Sequence, residues 1–317
     1  MEGAYMLRFA RLCLAALLIV TVSWPGTSHG EKIRFGALPV LQALPVYVAQ
    51  EKHLFREAGI DVEIIPFNAA AEKDIAMSTG SLDGYFGDLV TPTVLKGNGH
   101  DVFIVATNYD PRTDRRMIGI LAKPAGTYKT ISDLADVPVA VSSNSVIDRV
   151  TEQLLVSGGV PEDKVATIEA KNIGLRMQML LSGQVEAATL PEPLVTAAVA
   201  AGAKLLADDS GLETSQTILM FSGPFLRKNG DAVKAFLAAL NKAATLINTE
   251  PDSVRPVMVE HVRLPERLKS SYPVPRFPKL HAPDRTAVLA VAQWLKKRGV
   301  ITPAFTYEQV VDAGFLP

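Results

Sequence analysis

Asp88 and Glu192 are the residues in this chain with the most suggestive chemistry. Each stands at the end of a run that reads as a strand and just before a run with helical spacing. A carboxylate at such a point can accept hydrogen bonds from an amino or cationic ligand, or it can offset the dipole of the helix that follows. Gln42, Asn68 and the run Ser142-Ser143-Asn144-Ser145 occupy comparable places, after other predicted strands. Open α/β sheets hold their ligands at these carboxyl ends. The serine run can bind an anion or an oxygen-rich group through hydroxyls and free N–H donors, or it can cap the next helix with Asp148 in the first turn. If Asp88 and Glu192 both face a cleft, they favour an amine-bearing ligand. They then oppose a bare sulfonate or nitrate, because carboxylates repel anions in a desolvated pocket.

Other chemistries find little support. His53, His100, His261 and His281 are scattered, with no two at the three- or four-residue spacing of a metal site. No Gly-x-Ser-x-Gly elbow marks a nucleophile, and no six-residue glycine fingerprint marks a dinucleotide site. Neither a metal, a cofactor nor a catalytic residue is expected.

The elements that position these residues come as a repeat. Met77-Ser78-Thr79-Gly80-Ser81-Leu82-Asp83-Gly84 returns as Leu180-Leu181-Ser182-Gly183-Gln184-Val185-Glu186-Ala187, an offset of 103 residues that holds without a gap to Phe103. Two like units imply two lobes, and a cleft between lobes is where small ligands usually sit. In the first unit, strands are predicted at Lys32–Gly36, Asp61–Ile65, Leu82–Phe86 and Val102–Ala106. Helices are predicted at Val46–Ala58 and Ala70–Ser78, and another starts at Thr91. In the second, strands are predicted at Met117–Ala122, Val137–Ser142, Ala166–Ala170, Gln184–Leu190 and Lys204–Ala207, with helices near Val146–Val156, Leu175–Leu181 and Glu192–Ala201. This alternation is that of mainly parallel α/β sheets with helices on both faces. Polar stretches at Asn108–Arg116 and Asp208–Ser215 read as crossings between the lobes. Helices follow at Asp231–Thr249, Ser253–His261, Asp284–Lys297 and Tyr307–Ala313, and the proline-rich loop Leu264–Pro283 is a functional loop or a surface strap.

The first thirty residues read as a cleavable signal peptide. Arg8 and Arg11 form a basic start, Leu12 to Val22 an apolar core too short to span a bilayer, and Ser28-His29-Gly30 a cleavage site before Glu31. Cys13 leaves a lipoprotein possible, although Arg11-Leu12 stand where small residues belong. It is the chain's only cysteine, so an exported fold must rest on its hydrophobic core and not on disulfides. The formal net charge of −1 argues against nucleic acid or an anionic membrane surface as partner.

The run from Ile33 to Val40, then Ala43 to Phe55, then Gly59-Ile60-Asp61-Val62-Glu63, resembles the opening of ABC-transporter substrate-binding proteins, in the nitrate/sulfonate/taurine and thiamine-pyrimidine-precursor branch. Gly80–Gly84, Met179–Ala188 and Tyr307–Asp312 are similar to that family as well. The resemblance implies a type II periplasmic binding-protein fold. Its lobes would be 31–108 with 214–317, and 109–213, joined by hinges at Ala106–Asp110 and Asp209–Gln216. It also implies a periplasmic, non-enzymatic monomer that closes on a small solute and delivers it to an inner-membrane permease. The ligand suggested by the two acids is an amine-bearing heterocycle such as a thiamine pyrimidine precursor, otherwise a sulfonate or nitrate. The alternatives are an enzyme on the same fold, or a binding component of a sensor or lipid-transport system. The related enzymes work in the cytoplasm, and the pyrimidine synthase carries a cysteine-rich motif that this chain lacks.

Overall fold

The computed structural model describes residues 32–110, 116–210, 212 and 215–317. The expected leader, residues 1–30, lies outside them, as do parts of both expected crossings. Among the described residues no helix is long and apolar enough to cross a membrane.

Two five-stranded sheets organise the chain. The first runs β2 (Val62–Pro66), β1 (Ile33–Ala37), β3 (Gly84–Asp88), β10 (Thr217–Ser222), β4 (Val102–Tyr109). The second runs β7 (Thr167–Glu169), β6 (Val139–Val141), β8 (Ala187–Pro191), β5 (Ile118–Ala122), β9 (Lys204–Asp208). In the first, β1 pairs in parallel with β2 and β3, while β10 is antiparallel to both β3 and β4. In the second, β6 is parallel to β7 and β8, and β5 is antiparallel to β8 and β9. Each sheet is thus mainly parallel, with one reversed strand that follows a crossing from the other sheet.

The repeat is visible in the elements. Helix α3 (Ala70–Ser78) and strand β3 reappear, residue for residue, as α6 (Ile173–Leu181) and β8. Gly80 and Gly183 join them with φ of +74° and +76°. A side chain is strained there, so glycine at both sites is a backbone requirement. Helix α4 (Val90–Gly97) likewise returns as α7 (Leu194–Ala200).

Three sequence expectations need correction. The single helix expected over Val46–Ala58 is two, α1 (Leu44–Glu51) and α2 (Leu54–Glu57), because His53 takes a left-handed φ of 59° between them. Strand β10 was not expected. Its run Thr217-Ile218-Leu219-Met220-Phe221 is buried on both faces and shows no alternation to betray it. The helix expected from Asp231 begins at Gly223, capped by Ser222 and kinked at Asn229, giving α8 (Gly223–Thr249).

Helices α9 (Pro251–His261), α10 (Arg285–Lys297) and α11 (Tyr307–Val310) complete the layers around the first sheet, while α5 (Val146–Ser157) packs on the second. Phe35 lies against Phe221 and Phe236, at 5.7 and 4.7 Å between ring centroids, and Phe236 stacks on Phe55. The proline-rich segment 264–283 is a strap. Asn241 accepts from the Leu280 N–H, Asn248 donates to the Phe277 carbonyl and Arg255 to that of Tyr272.

Candidate functional site

A cavity of about 70 Å³ lies between the two sheets. The first sheet's side contributes Leu38, Gln42, Lys73, Phe86, Asp88 and Thr217; the second contributes Ile118, Val146, Ile147, Ile173 and Pro191. A wider groove of about 700 Å³ runs along α8 and Phe277, but it is open and touches one side of the molecule only. Its Asn241 and Asn248 are already engaged by the strap. The smaller cavity is the candidate site, because both units line it and strand ends converge on it.

Lys73 dominates its electrostatics. The residue is 1% exposed, sits on α3 and donates from Nζ to the Phe86 carbonyl at 3.0 Å. Nζ also lies 3.4 Å from the centre of the Tyr85 ring, a cation–π contact. Asp74 Oδ1 lies 3.9 Å from Nζ, too far for a hydrogen bond. Burial holds the Lys73 pKa below its ordinary value, with Asp74 and Asp88 opposing. Burial raises the Asp74 carboxyl to about 6, against the pull of Lys73. With the Phe86 carbonyl as its one hydrogen-bond acceptor, Nζ keeps donor capacity toward the cavity.

Asp88 lines the cavity and caps at the same time. Its Oδ1 accepts from the N–H groups of Val90 at 2.8 Å and Thr91 at 3.0 Å, at the start of α4. Its Oδ2 lies 3.4 Å from the Val146 N–H, at the start of α5 on the other sheet. One carboxylate therefore touches both units. Gln42 also lines the cavity. Its loop is pinned by Asn108, which donates to the Gln42 carbonyl at 2.6 Å, and its side-chain Oε1 is buried without a partner.

The other expected residues stand elsewhere. Asn68 is exposed and held by Arg263. Ser145 caps α5, accepting from the Ile147 N–H at 3.2 Å and donating to the Ser142 carbonyl at 2.7 Å. Ser143 and Asn144 are exposed, with their N–H groups taken by Glu169 and Asp148. Ser142 accepts from Arg176 at 2.8 Å. The run builds a helix start, and it is the following Val146 and Ile147 that line the cavity. Glu192 is buried but turned away from it. Its Oε1 accepts from Arg116 Nε at 2.9 Å and from the Thr196 hydroxyl at 2.9 Å, and its Oε2 from the Thr196 N–H at 3.2 Å. It faces a separate depression shared with Arg116 and Tyr272. The pairing of Asp88 with Glu192 in one pocket, which underlay the expected amine ligand, is therefore corrected.

The family model described as "NMT1: NMT1/THI5 like" matches residues 41–254. The chain belongs to that family. It is 24% identical over 293 residues, 91% of this chain and 90% of the other, to an Escherichia coli (strain K12) protein named for aliphatic sulfonate binding. Its fold is similar to the alkanesulfonate-binding protein SsuA of Xanthomonas axonopodis pv. citri bound to MOPS. The TM-score is 0.75 at 18% identity, over 92% of this chain and 99% of that one. It is also similar to the periplasmic nitrate-binding protein NrtA of Synechocystis PCC 6803. There the TM-score is 0.73 at 16% identity, over 90% and 86% of the chains.

Sequence reasoning missed Lys73 and Thr217. Lys73 reads as the solvated face of an amphipathic helix. The available signal was the repeat, because Lys73 and Arg176 are equivalent basic residues in two helices that must each bury one face. Thr217 belongs to the unexpected strand, and its hydroxyl is buried without a partner. Asp209, in the expected hinge Asp209–Gln216, ties to the second unit, where its Oδ1 accepts from the Met117 and Ile118 N–H groups at 2.8 and 2.9 Å. Among the described residues no group of three or more His, Cys, Asp and Glu gathers as a metal site would.

Proposed function

We propose that this chain is an exported, non-enzymatic solute-binding protein that captures a small anion between two lobes and passes it to an inner-membrane permease. The lobes are those anticipated from the sequence, 31–108 with 214–317, and 109–213, with the solute at their shared cavity. Contacts from both sides favour the closed arrangement over the open one; a solute touching one lobe alone would not shift that balance.

The observation that carries the ligand class is Lys73. A buried lysine Nζ with one hydrogen-bonded partner, at a cavity lined by Leu38, Phe86, Ile118 and Ile173, suits a charged head on a short apolar tail. The carboxylates do not oppose it. Glu192 is neutralised by Arg116 outside the cavity, and Asp88 is engaged by three N–H groups. The names of the relatives, which bind sulfonates and nitrate, agree with this class. Asp88 beside Lys73 supports a second candidate, an amino-sulfonate with its amine on Asp88.

The test is a thermal-shift screen of the purified protein with methanesulfonate, ethanesulfonate, taurine, nitrate and an aminopyrimidine. Ligands of the folded state raise the melting temperature by mass action. The small anions are expected to raise it, and a response to the aminopyrimidine alone overturns the anion assignment.

A further inference from the structure

Helices α5 and α10 belong to different sheets, yet their side chains meet. Trp294 on α10 donates its indole N–H to Glu152 Oε2 at 2.8 Å, and Arg298, at the end of α10, donates to the same oxygen at 2.8 Å. Arg298 also reaches Asp148 Oδ2 at 3.2 Å. Asp148 and Glu152 are one turn apart on α5, and Trp294 and Arg298 are one turn apart on α10. Two helix-spaced pairs of complementary charge and donor type thus face each other across the lobes. The Arg298 and Arg149 guanidinium groups stand 4.9 and 5.5 Å from the Trp294 ring, so cations from both helices flank one indole. None of these residues lines the cavity.

We propose that Glu152, Trp294 and Arg298 form a latch that holds the lobes closed before any solute arrives. The latch acts in series with Asp88, whose Oδ2 lies 3.4 Å from the Val146 N–H at the start of the same α5. Helix α5 is thereby fixed at its tip beside the cavity and along its flank away from it. A second tie, Arg267 on the strap, donates to the carbonyls of Ala197 and Ala200 at 2.8 and 3.1 Å, at the end of α7. The consequence is functional. A pre-closed protein does not have to spend solute-binding energy on closure, so its affinity is higher, while capture waits for the latch to open. The latch sets the gain of the binding site without touching the ligand.

The inference rests on the two-lobe reading of the function. Cys13 is the chain's only cysteine, so Ile75→Cys and Leu175→Cys in a Cys13→Ser background place one spin label on an exposed helix position of each lobe. Electron–electron resonance then reads the distance between lobes without added solute. The parent is expected to show mainly the shorter distance. Glu152→Ala and Trp294→Phe, which keeps the ring but removes the donor, should lower the ratio of closed to open about tenfold. That corresponds to about 1.4 kcal/mol. Half-molar salt should move the parent the same way, because the arginine pair is partly exposed, and should move Glu152→Ala less, since that variant keeps only the Arg298–Asp148 and Lys297–Glu162 pairs between the lobes. The latch is overturned if the parent is mainly open, or if both folded variants keep the parent distribution. The two-lobe reading falls separately, if none of ethanesulfonate, methanesulfonate, taurine, nitrate and an aminopyrimidine shifts either the distance or the melting temperature in any of these proteins.

Discussion

Lys73 and Arg176 occupy the same position in the two copies of one helix, and both side chains are buried, at 1% and 0% exposure. Their surroundings differ. Arg176 donates to the Ser142 hydroxyl and to the Ala170 carbonyl at 2.8 and 3.0 Å, holding the loop that starts α5. Lys73 has a single carbonyl partner and opens on the cavity. Burial depresses both cations, Arg176 to about 10, which leaves the guanidinium charged at neutral pH. One repeat position is a structural tie in one unit and, on the proposed function, the ligand contact in the other.

Lys73→Met is expected to weaken binding of the small anions by about 1.5–3 kcal/mol, the usual worth of a hydrogen bond to a charged group. Stability should hold or rise, since removing a desolvated charge relieves a cost to the fold. Titration calorimetry and thermal melting check the two halves.

Glu192→Gln should do the reverse. The carboxylate ties Arg116 and Thr196 and does not line the cavity, so affinity should be unchanged. Weakening the charged bond to Arg116 should cost about 1–2 kcal/mol of stability, read by urea unfolding.

Gly87→Ala places a methyl group at the cavity floor. Its Cβ would lie 3.0 Å from Lys73 Nζ and 2.7 Å from a Tyr85 ring carbon. The lysine must then shift. An affinity loss of tenfold or more, in a protein that still folds cooperatively, is the expected titration result.

Asp74→Asn isolates a pH effect. The Asp74 carboxyl is raised by burial to about 6 in the fold and returns to about 4 on unfolding. The native state therefore holds this proton more tightly. Its contribution to stability is complete below pH 4 and is lost as pH rises to 6. Asn carries no such dependence. The variant should gain about 1–3 kcal/mol relative to the parent between pH 4 and pH 7, as measured by denaturant melts at each pH.

Much of this architecture was legible in the sequence. The repeat around Gly80 and Gly183 fixed two units, because a left-handed turn before a strand demands glycine in both. Strand β10 escaped because its uniformly buried residues carry no period to read. The site was only half legible. Asp88 and Gln42 stand where strand ends predict, since topology brings those ends together. Glu192 stands at an equivalent strand end but turns to Arg116, and side-chain direction is settled by a partner distant in sequence. Lys73 was hidden for the same reason, since a lysine inside a helix carries no mark of its burial.

The central claim is that Lys73 pins a small anion between the lobes. Calorimetric titration of ethanesulfonate into the parent and Lys73→Met proteins tests it most directly. Saturable one-to-one binding to the parent, reduced at least tenfold in the variant, is the predicted result. Equal affinity in both proteins, or no binding of ethanesulfonate, methanesulfonate, taurine or nitrate by the parent, contradicts it.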